Sequence, residues 1–339
     1  NANFSSTITF ENLGPDSAPG TALGVTFDSN LTGITWEREV FRARPALVSA
    51  SDLDGDNGLR IQGEAALASS GRNVTGVGDL NKDGFQDFGI ISENVGDTAR
   101  LSIIYGTDSG FPAEIDLATP LTGVNGFKID GLGPAFSTLD ADAAGDINGD
   151  TIDDLIVGSV GNDISTAFGR SFVIFGKAGG LGASFDVSTL DGDNGFSVSG
   201  IAEGDSLGGS VSGAGDINSD GVADVIISAA LADPPNPSGV PTDPAVVDAG
   251  ESYVIFGKPS DQSFGATIDL TSLDGTNGFT IRGSTVGDLL GTQVDGAGDF
   301  NGDQIDDLLI TASQDVEGAT KTGQAYVIYG KSESSVFDA

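Results

Sequence analysis

The segment GAGDINSDGVADVIISA, Gly213 to Ala229, decides how this chain is read. It sets Asp216, Asn218, Asp220 and Asp224 at positions 1, 3, 5 and 9 of a short loop and then runs into an apolar, β-branched stretch. The same line recurs as GVGDLNKDGFQDFGIIS from Gly76, AAGDINGDTIDDLIVGS from Ala143 and GAGDFNGDQIDDLLITA from Gly296. The first aspartates, Asp79, Asp146, Asp216 and Asp299, are spaced by 67, 70 and 83 residues. The longest interval contains DPPNPSGVPTDPAVVD, Asp233 to Asp248, whose five prolines predict an exposed loop.

Two further landmarks keep phase with the aspartates. An aromatic-Gly pair closes a short apolar run after each loop: LSIIYG from Leu101, SFVIFGK from Ser171, SYVIFGK from Ser252 and AYVIYGK from Ala325. Later comes GFKIDG from Gly126, GFSVSG from Gly195 or GFTIRG from Gly278, with an early relative GLRIQG from Gly58. No stretch holds helical periodicity over ten residues, so each repeat reads as about four strands separated by Gly, Asp, Asn and Ser turns. In the third repeat these are Leu207 to Gly213, Asp224 to Ala229, Ser252 to Phe256 and Gly278 to Arg282.

A four-stranded antiparallel unit that repeats and cannot bury both faces alone is a propeller blade. The predicted fold is therefore an all-β propeller of four-stranded antiparallel blades with calcium-binding loops. The runs VIISA and LLITA lack polar alternation and suit strands buried on both faces. Residues 1–63 read as a degenerate blade, 64–131, 132–200 and 201–283 as three full ones, and 284–339 as an incomplete fourth. That makes about five blade equivalents, the last incomplete. Within the first segment the strand-like runs are STITF from Ser6, GVTF from Gly24 and GITW from Gly33, and Ala46 to Leu53 falls in register with Ala266 to Leu273.

Composition narrows the function classes. With 14 Lys plus Arg against 50 Asp plus Glu, the net charge is −36, which opposes nucleic acid and anionic membrane surfaces as partners. There is no Cys and no His, which removes disulfides, thiolate or imidazole metal sites, cysteine nucleophiles and Ser-His-Asp triads. No run of about 18 apolar residues is present to insert in a membrane. The chain begins with Asn1, so an N-terminal segment is expected to have been removed or left out. An acidic, Cys-free, processed chain fits a bacterial extracellular or cell-surface protein.

The loop spacing carries the chemistry. Positions 1, 3, 5, 7 and 9 are Asp79, Asn81, Asp83, Phe85, Asp87; Asp146, Asn148, Asp150, Ile152, Asp154; Asp216, Asn218, Asp220, Val222, Asp224; and Asp299, Asn301, Asp303, Ile305, Asp307. Position 7 offers its backbone carbonyl. Alternate oxygens of a tight loop converge on one point, and Ca²⁺ takes six to eight such ligands at about 2.3–2.6 Å. Three crowded carboxylates repel unless a cation joins them. Mg²⁺ fits less well because it keeps waters in a strict octahedron. An EF-hand is excluded because position 12 is Ile90, Val157, Ile227 or Ile310 instead of Glu, and a β-type run follows. The bland alternative is a simple Asx turn, against which stand four in-phase copies that each keep three carboxylates.

These motifs, together with LGGSVSGAGDINSDGVADVIISA from Leu207 and the YVIFGK strand, resemble the FG-GAP repeat of the integrin α-subunit β-propeller, in its bacterial tandem form. The resemblance covers about residues 54 to 337. It implies a propeller, commonly of seven blades, with about four calcium ions in the loops joining first and second strands, and an extracellular adhesive or recognition role. Two departures stand out. Glycine at position 6 is kept as Gly84 and Gly221 but replaced by Thr151 and Gln304, which predicts weaker second and fourth sites if that position needs positive φ. The FG opening is degenerate at Ser70 and Phe136.

Of the remaining acidic groups, Asp153 and Asp306 read most simply as solvated turn carboxylates, with a supporting ligand role as the alternative. DGDNG from Asp54 and from Asp191 reads as a turn into the next strand. Trp36 reads as a packing residue more readily than a sugar platform, and Asn3, Asn30 and Asn73 match the N-x-[ST] pattern. Two functional classes follow: a non-enzymatic adhesion, recognition or surface-assembly module, and a carbohydrate-active enzyme using propeller-face carboxylates. The first is favoured because the clustered aspartates are accounted for as metal ligands. Its expected partners are a protein or polysaccharide surface ligand, other copies of itself, or further domains of a longer chain. The edge at Ala325 to Tyr329 is expected to be paired from outside this segment rather than by Leu59 to Gln62 of its own chain.

Overall fold

Between the loops the chain is written in short β-branched and aromatic runs bounded by Gly, Asp and Asn, and these runs become strands. The computed structural model describes residues 49–66, 68–95, 98–134, 139–161, 168–235, 245–313 and 323–332. The chain divides into units 1–48 and 49–339, and the described residues all belong to the second. The runs from Ser6, Gly24 and Gly33, Trp36, Asn3 and Asn30 therefore lie outside them, as do 236–244 of the Pro-rich loop and 333–339.

Strand β1 (Arg60–Gln62) comes first. The first full sheet takes β2 (Val74–Gly78), β3 (Asp87–Val95), β4 (Thr98–Ile104) and β6 (Gly126–Asp130), with β5 (Glu114–Asp116) between the last two in sequence. The second takes β7 (Leu139–Gly145), β8 (Asp154–Ser159), β9 (Arg170–Ile174) and β11 (Gly195–Ser199), with β10 (Ser184–Asp186) before β11. The third takes β12 (Val211–Gly215), β13 (Asp224–Ala229), β14 (Glu251–Ile255) and β16 (Gly278–Arg282), with β15 (Thr267–Ile268) before β16. The last holds β17 (Leu290–Gly298), β18 (Asp307–Ala312) and β19 (Gln324–Ile328).

Within each sheet the consecutive strands pair antiparallel, with a register shift where the first strand enters its loop, as at Gly213/Gly215. The described residues are thus all-β, with repeated antiparallel sheets in the arrangement of propeller blades. Each connection also holds a short strand. β5, β10 and β15 pair in parallel with the outer strands β1, β6 and β11 of the preceding unit, which makes the first two full sheets five-stranded. Each of these connections stitches one blade to the previous one.

Successive sheets bury apolar side chains between them. Ile91, Leu101 and Ile103 of the first sheet meet Leu155, Val157 and Phe172 of the second. Ile156 and Val173 then meet Val225, Ile227 and Tyr253, and Ile226 and Val254 meet Leu308 and Ile310. Every residue of β13 is buried, as VIISA predicts. LLITA departs from that expectation: Leu309 of β18 surfaces, because no further sheet covers it among the described residues. DGDNG is a turn, as expected, with Asn57 Nδ2 donating to Asp52 O and Asn194 Nδ2 to Thr189 O. The Asn73 amide donates to Asp140 Oδ1 of the next sheet at 3.1 Å. The two feet of the Pro-rich loop are tied by Asp248 N donating to Asp233 Oδ1 at 2.7 Å.

Candidate metal-binding loops

All four loops fold by one local scheme. At position 1 the carboxylate accepts N–H groups from positions 5 and 6: in the third loop Asp216 Oδ1 takes Asp220 N and Oδ2 takes Gly221 N, both at 2.9 Å. Position 3 accepts the position-5 N–H as well (Asn218 Oδ1, 2.9 Å), and position 5 accepts that of position 7 (Asp220 Oδ1 from Val222 N, 2.9 Å). Loops 1 and 2 repeat these bonds through Asp79, Asn81, Asp83 and Phe85 and through Asp146, Asn148, Asp150 and Ile152. Loop 4 differs at one point, where Asp299 Oδ1 accepts Gly302 N at 2.7 Å. Asn301, Asp303 and Ile305 otherwise follow the pattern.

Position 9 opens the second strand and is the buried anchor. Asp224 Oδ2 accepts Ile217 N at 2.9 Å and its Oδ1 accepts Gly257 N at 2.8 Å. Asp87, Asp154 and Asp307 do the same to Leu80 and Gly106, Ile147 and Gly176, and Phe300 and Gly330. The aromatic-Gly pair that keeps phase with the aspartates is therefore physically bonded to its loop. It must be glycine because a Cβ on Gly257 would stand 2.2 Å from Ala223 O.

Burial dominates the electrostatics of Asp87, Asp154 and Asp224. It pushes the Asp87 carboxyl up to about 7, against the lowering effect of the Gly106 and Leu80 N–H groups, with Asp83 and Asp79 adding repulsion. Asp154 and Asp224 are driven to about 8 in the same way. The ion pairs of Arg60, Arg72, Arg100, Lys128 and Arg282 all go to carboxylates outside the loops. Among the described residues no group of three or more His, Cys, Asp or Glu side chains stands as a preassembled metal centre, since the loop carboxylates are turned onto their own backbone. The donor chemistry nevertheless fits a hard cation: each loop supplies three carboxylates, an amide oxygen and a carbonyl, and every oxygen engaged by one N–H keeps a second lone pair.

The structure revises the glycine argument. Position 6 has positive φ in all four loops: 93° at Gly84, 70° at Thr151, 89° at Gly221 and 72° at Gln304. Position 4 has it too: 58° at Lys82, 72° at Gly149, 60° at Ser219 and 83° at Gly302. Each loop thus carries one glycine and one strained side chain, at swapped places, so the strain count gives no reason for the second and fourth loops to be weaker. The Asn-Gly of loops 2 and 4 was the legible sign. A Cβ at Gly221 meets nothing within 4 Å, so backbone conformation alone selects glycine there. Thr151→Gly is expected to stabilise and Gly221→Thr to destabilise, each by about 1 kcal/mol, read by thermal melting. A destabilising Thr151→Gly or a stabilising Gly221→Thr contradicts the assignment.

Asp153 and Asp306 are not solvated turn carboxylates. Asp153 Oδ2 accepts Asp79 N at 2.7 Å and Asp306 Oδ2 accepts Asp216 N at 2.9 Å, so each caps the loop of the preceding blade. Between the second and third blades the place is taken by Ala223, against Gly145. Asp153→Ala should cost about 1 kcal/mol, and an unchanged melt contradicts the capping role. A separate polar row runs across the first strands, where Ser212 Oγ lies 2.6 Å from Asp142 Oδ2 and 3.2 Å from Asp295 Oδ1.

A protein built of such sheets and loops belongs to the class of repeat β-propellers. The family model for the FG-GAP repeat matches residues 290–328, which span β17, the fourth loop, β18 and β19. Residues 290–328 thus carry an FG-GAP repeat. FG-GAP repeats occur in integrin-like extracellular β-propeller domains. No curated protein sequence matches the chain. No helix among the described residues is long and apolar enough to cross a membrane.

Proposed function

We propose that the chain is an extracellular, calcium-binding β-propeller module that serves adhesion, recognition or surface assembly and performs no catalysis. The observation that carries this reading is the fourfold repetition of one acidic loop fold, in which a buried carboxylate is held by two backbone N–H groups beside two further carboxylates. Four Ca²⁺ would bring the net charge from −36 to −28 and relieve the densest repulsion. The ions would be held by positions 1, 3, 5 and 9 and the position-7 carbonyls of Phe85, Ile152, Val222 and Ile305.

Against a glycosidase or lyase stands the use already made of the carboxylates. The loop aspartates shape the loops, and Asp140 and Asp142 of β7 bridge to Val211 and Ser212 of the next sheet. The partner is a protein or polysaccharide at a cell surface. Incubation with a panel of polysaccharides tests this: saturable binding without product release supports the module, and release of shortened sugar contradicts it.

A further inference from the structure

The four loops share one fold yet differ at the residue after position 3. Asn81 and Asn218 are followed by Lys82 and Ser219, whereas Asn148 and Asn301 are followed by Gly149 and Gly302. An asparagine before glycine is chemically vulnerable, because no side chain hinders the glycine nitrogen from attacking the asparagine carboxamide carbon. At Gly149 packing enforces the glycine. Its φ is 72°, and a Cβ there would stand 2.7 Å from Ser260 N and 3.0 Å from Pro259 Cα of the next blade.

The two Asn-Gly loops differ in how firmly they hold the reacting atoms. In the fourth, Gly302 N donates to Asp299 Oδ1 at 2.7 Å and Asn301 Nδ2 donates to Asp303 Oδ2 at 2.9 Å, both charge-assisted bonds. Asn81 and Asn218 make the same carboxamide bond, to Asp83 and Asp220. The second loop lacks both restraints. Asn148 Oδ1 accepts Asp150 N at 2.9 Å, but among the described residues neither Asn148 Nδ2 nor the Gly149 N–H has a hydrogen-bond partner. The other Asn-Gly pairs are clamped in turns: Asn57, Asn194 and Asn277 donate Nδ2 to Asp52 O, Thr189 O and Ser272 O. Asn125 Oδ1 accepts both the N–H and the hydroxyl of Thr122, and Gly126 after it is buried as the first residue of β6.

We infer that Asn148 is a site of spontaneous deamidation in the folded chain. Gly149 N gives up its proton and bonds to Asn148 Cγ, while the Cγ–Nδ2 bond breaks and the nitrogen leaves with a proton as ammonia. Water then opens the five-membered imide at either carbonyl, giving aspartate or its isoaspartyl isomer, which has one more atom in the main chain. No electrons are transferred. At Asn301 the same attack must first break two bonds to carboxylates. Either product puts a carboxylate where Asn148 held a neutral amide, and the isoaspartyl form also shifts positions 5, 7 and 9 relative to position 1. The change falls on the second loop alone. It goes beyond the proposed function and rests on hydrogen bonding within the loops, not on calcium.

Peptide mapping tests this with an internal control. The whole chain is held without added metal in mildly alkaline buffer below its melting transition, digested and read by mass spectrometry. Asn148 and Asn301 are followed in the same sample through the mass gained when the amide nitrogen is exchanged for oxygen. In the folded chain Asn148 should convert at least about tenfold faster than Asn301, the two carboxylate bonds making the difference. In denaturant both pairs are released, and the two rates should converge. Asp299→Ala frees Gly302 N and should speed Asn301, while Asn148 in the same molecule keeps its rate. Equal rates in the folded chain, a difference that persists in denaturant, or an Asn301 indifferent to Asp299→Ala overturns the inference. The mapping needs no bound ion or sugar, so its failure leaves the module reading standing, and failure of calcium or polysaccharide binding leaves the inference standing.

Discussion

Chelating calcium is expected to lower the melting temperature by roughly 10 °C or more. A ligand that binds only the native state adds about 4 kcal/mol at a thousandfold excess over its Kd. For a chain above 150 residues each kcal/mol moves the midpoint by roughly 2–4 °C. Four loops act together, and the anchors Asp87, Asp154 and Asp224 are buried beside further carboxylates. Without a cation that repulsion stands uncompensated. Calcium should restore the melt and equimolar magnesium should not, because the loops offer more oxygens than an octahedral ion that keeps its waters will use. An unchanged melt in chelator contradicts the coupling.

The second large effect belongs to Asp224. Its carboxylate is fully buried and satisfies both Ile217 N and Gly257 N, so Asp224→Ala strands two buried donors and should cost about 2–6 kcal/mol. Asp220 accepts Val222 N near the loop surface, and Asp220→Ala should cost about 1 kcal/mol. Both variants lose a ligand from the third loop. The comparison is therefore made in chelator, where only the structural difference survives. Equal losses there contradict the anchor role of position 9.

Much of this was legible because a repeat states its fold several times. Four copies of the loop give its register, the β-branched runs after it give β3, β8, β13 and β18, and Gly278 to Arg282 is an outer strand with the bounds read from the sequence. The parallel stitches β5, β10 and β15 were not legible, since two or three residues carry no periodicity. Nor was the left-handed backbone at Lys82 and Ser219, where the loop imposes the conformation on side chains that disfavour it. Asp153 looked like a solvated carboxylate because its partner, Asp79 N, belongs to the blade before it. Interactions between repeats are what a reading within one repeat misses.

Equilibrium dialysis of the whole chain against calcium tests the central claim most directly. Four ions per chain are expected, falling to three in Asp220→Ala, which removes a ligand from the third loop while leaving its buried anchor in place. Binding of no calcium by the intact chain, or an unchanged count in that variant, contradicts the account.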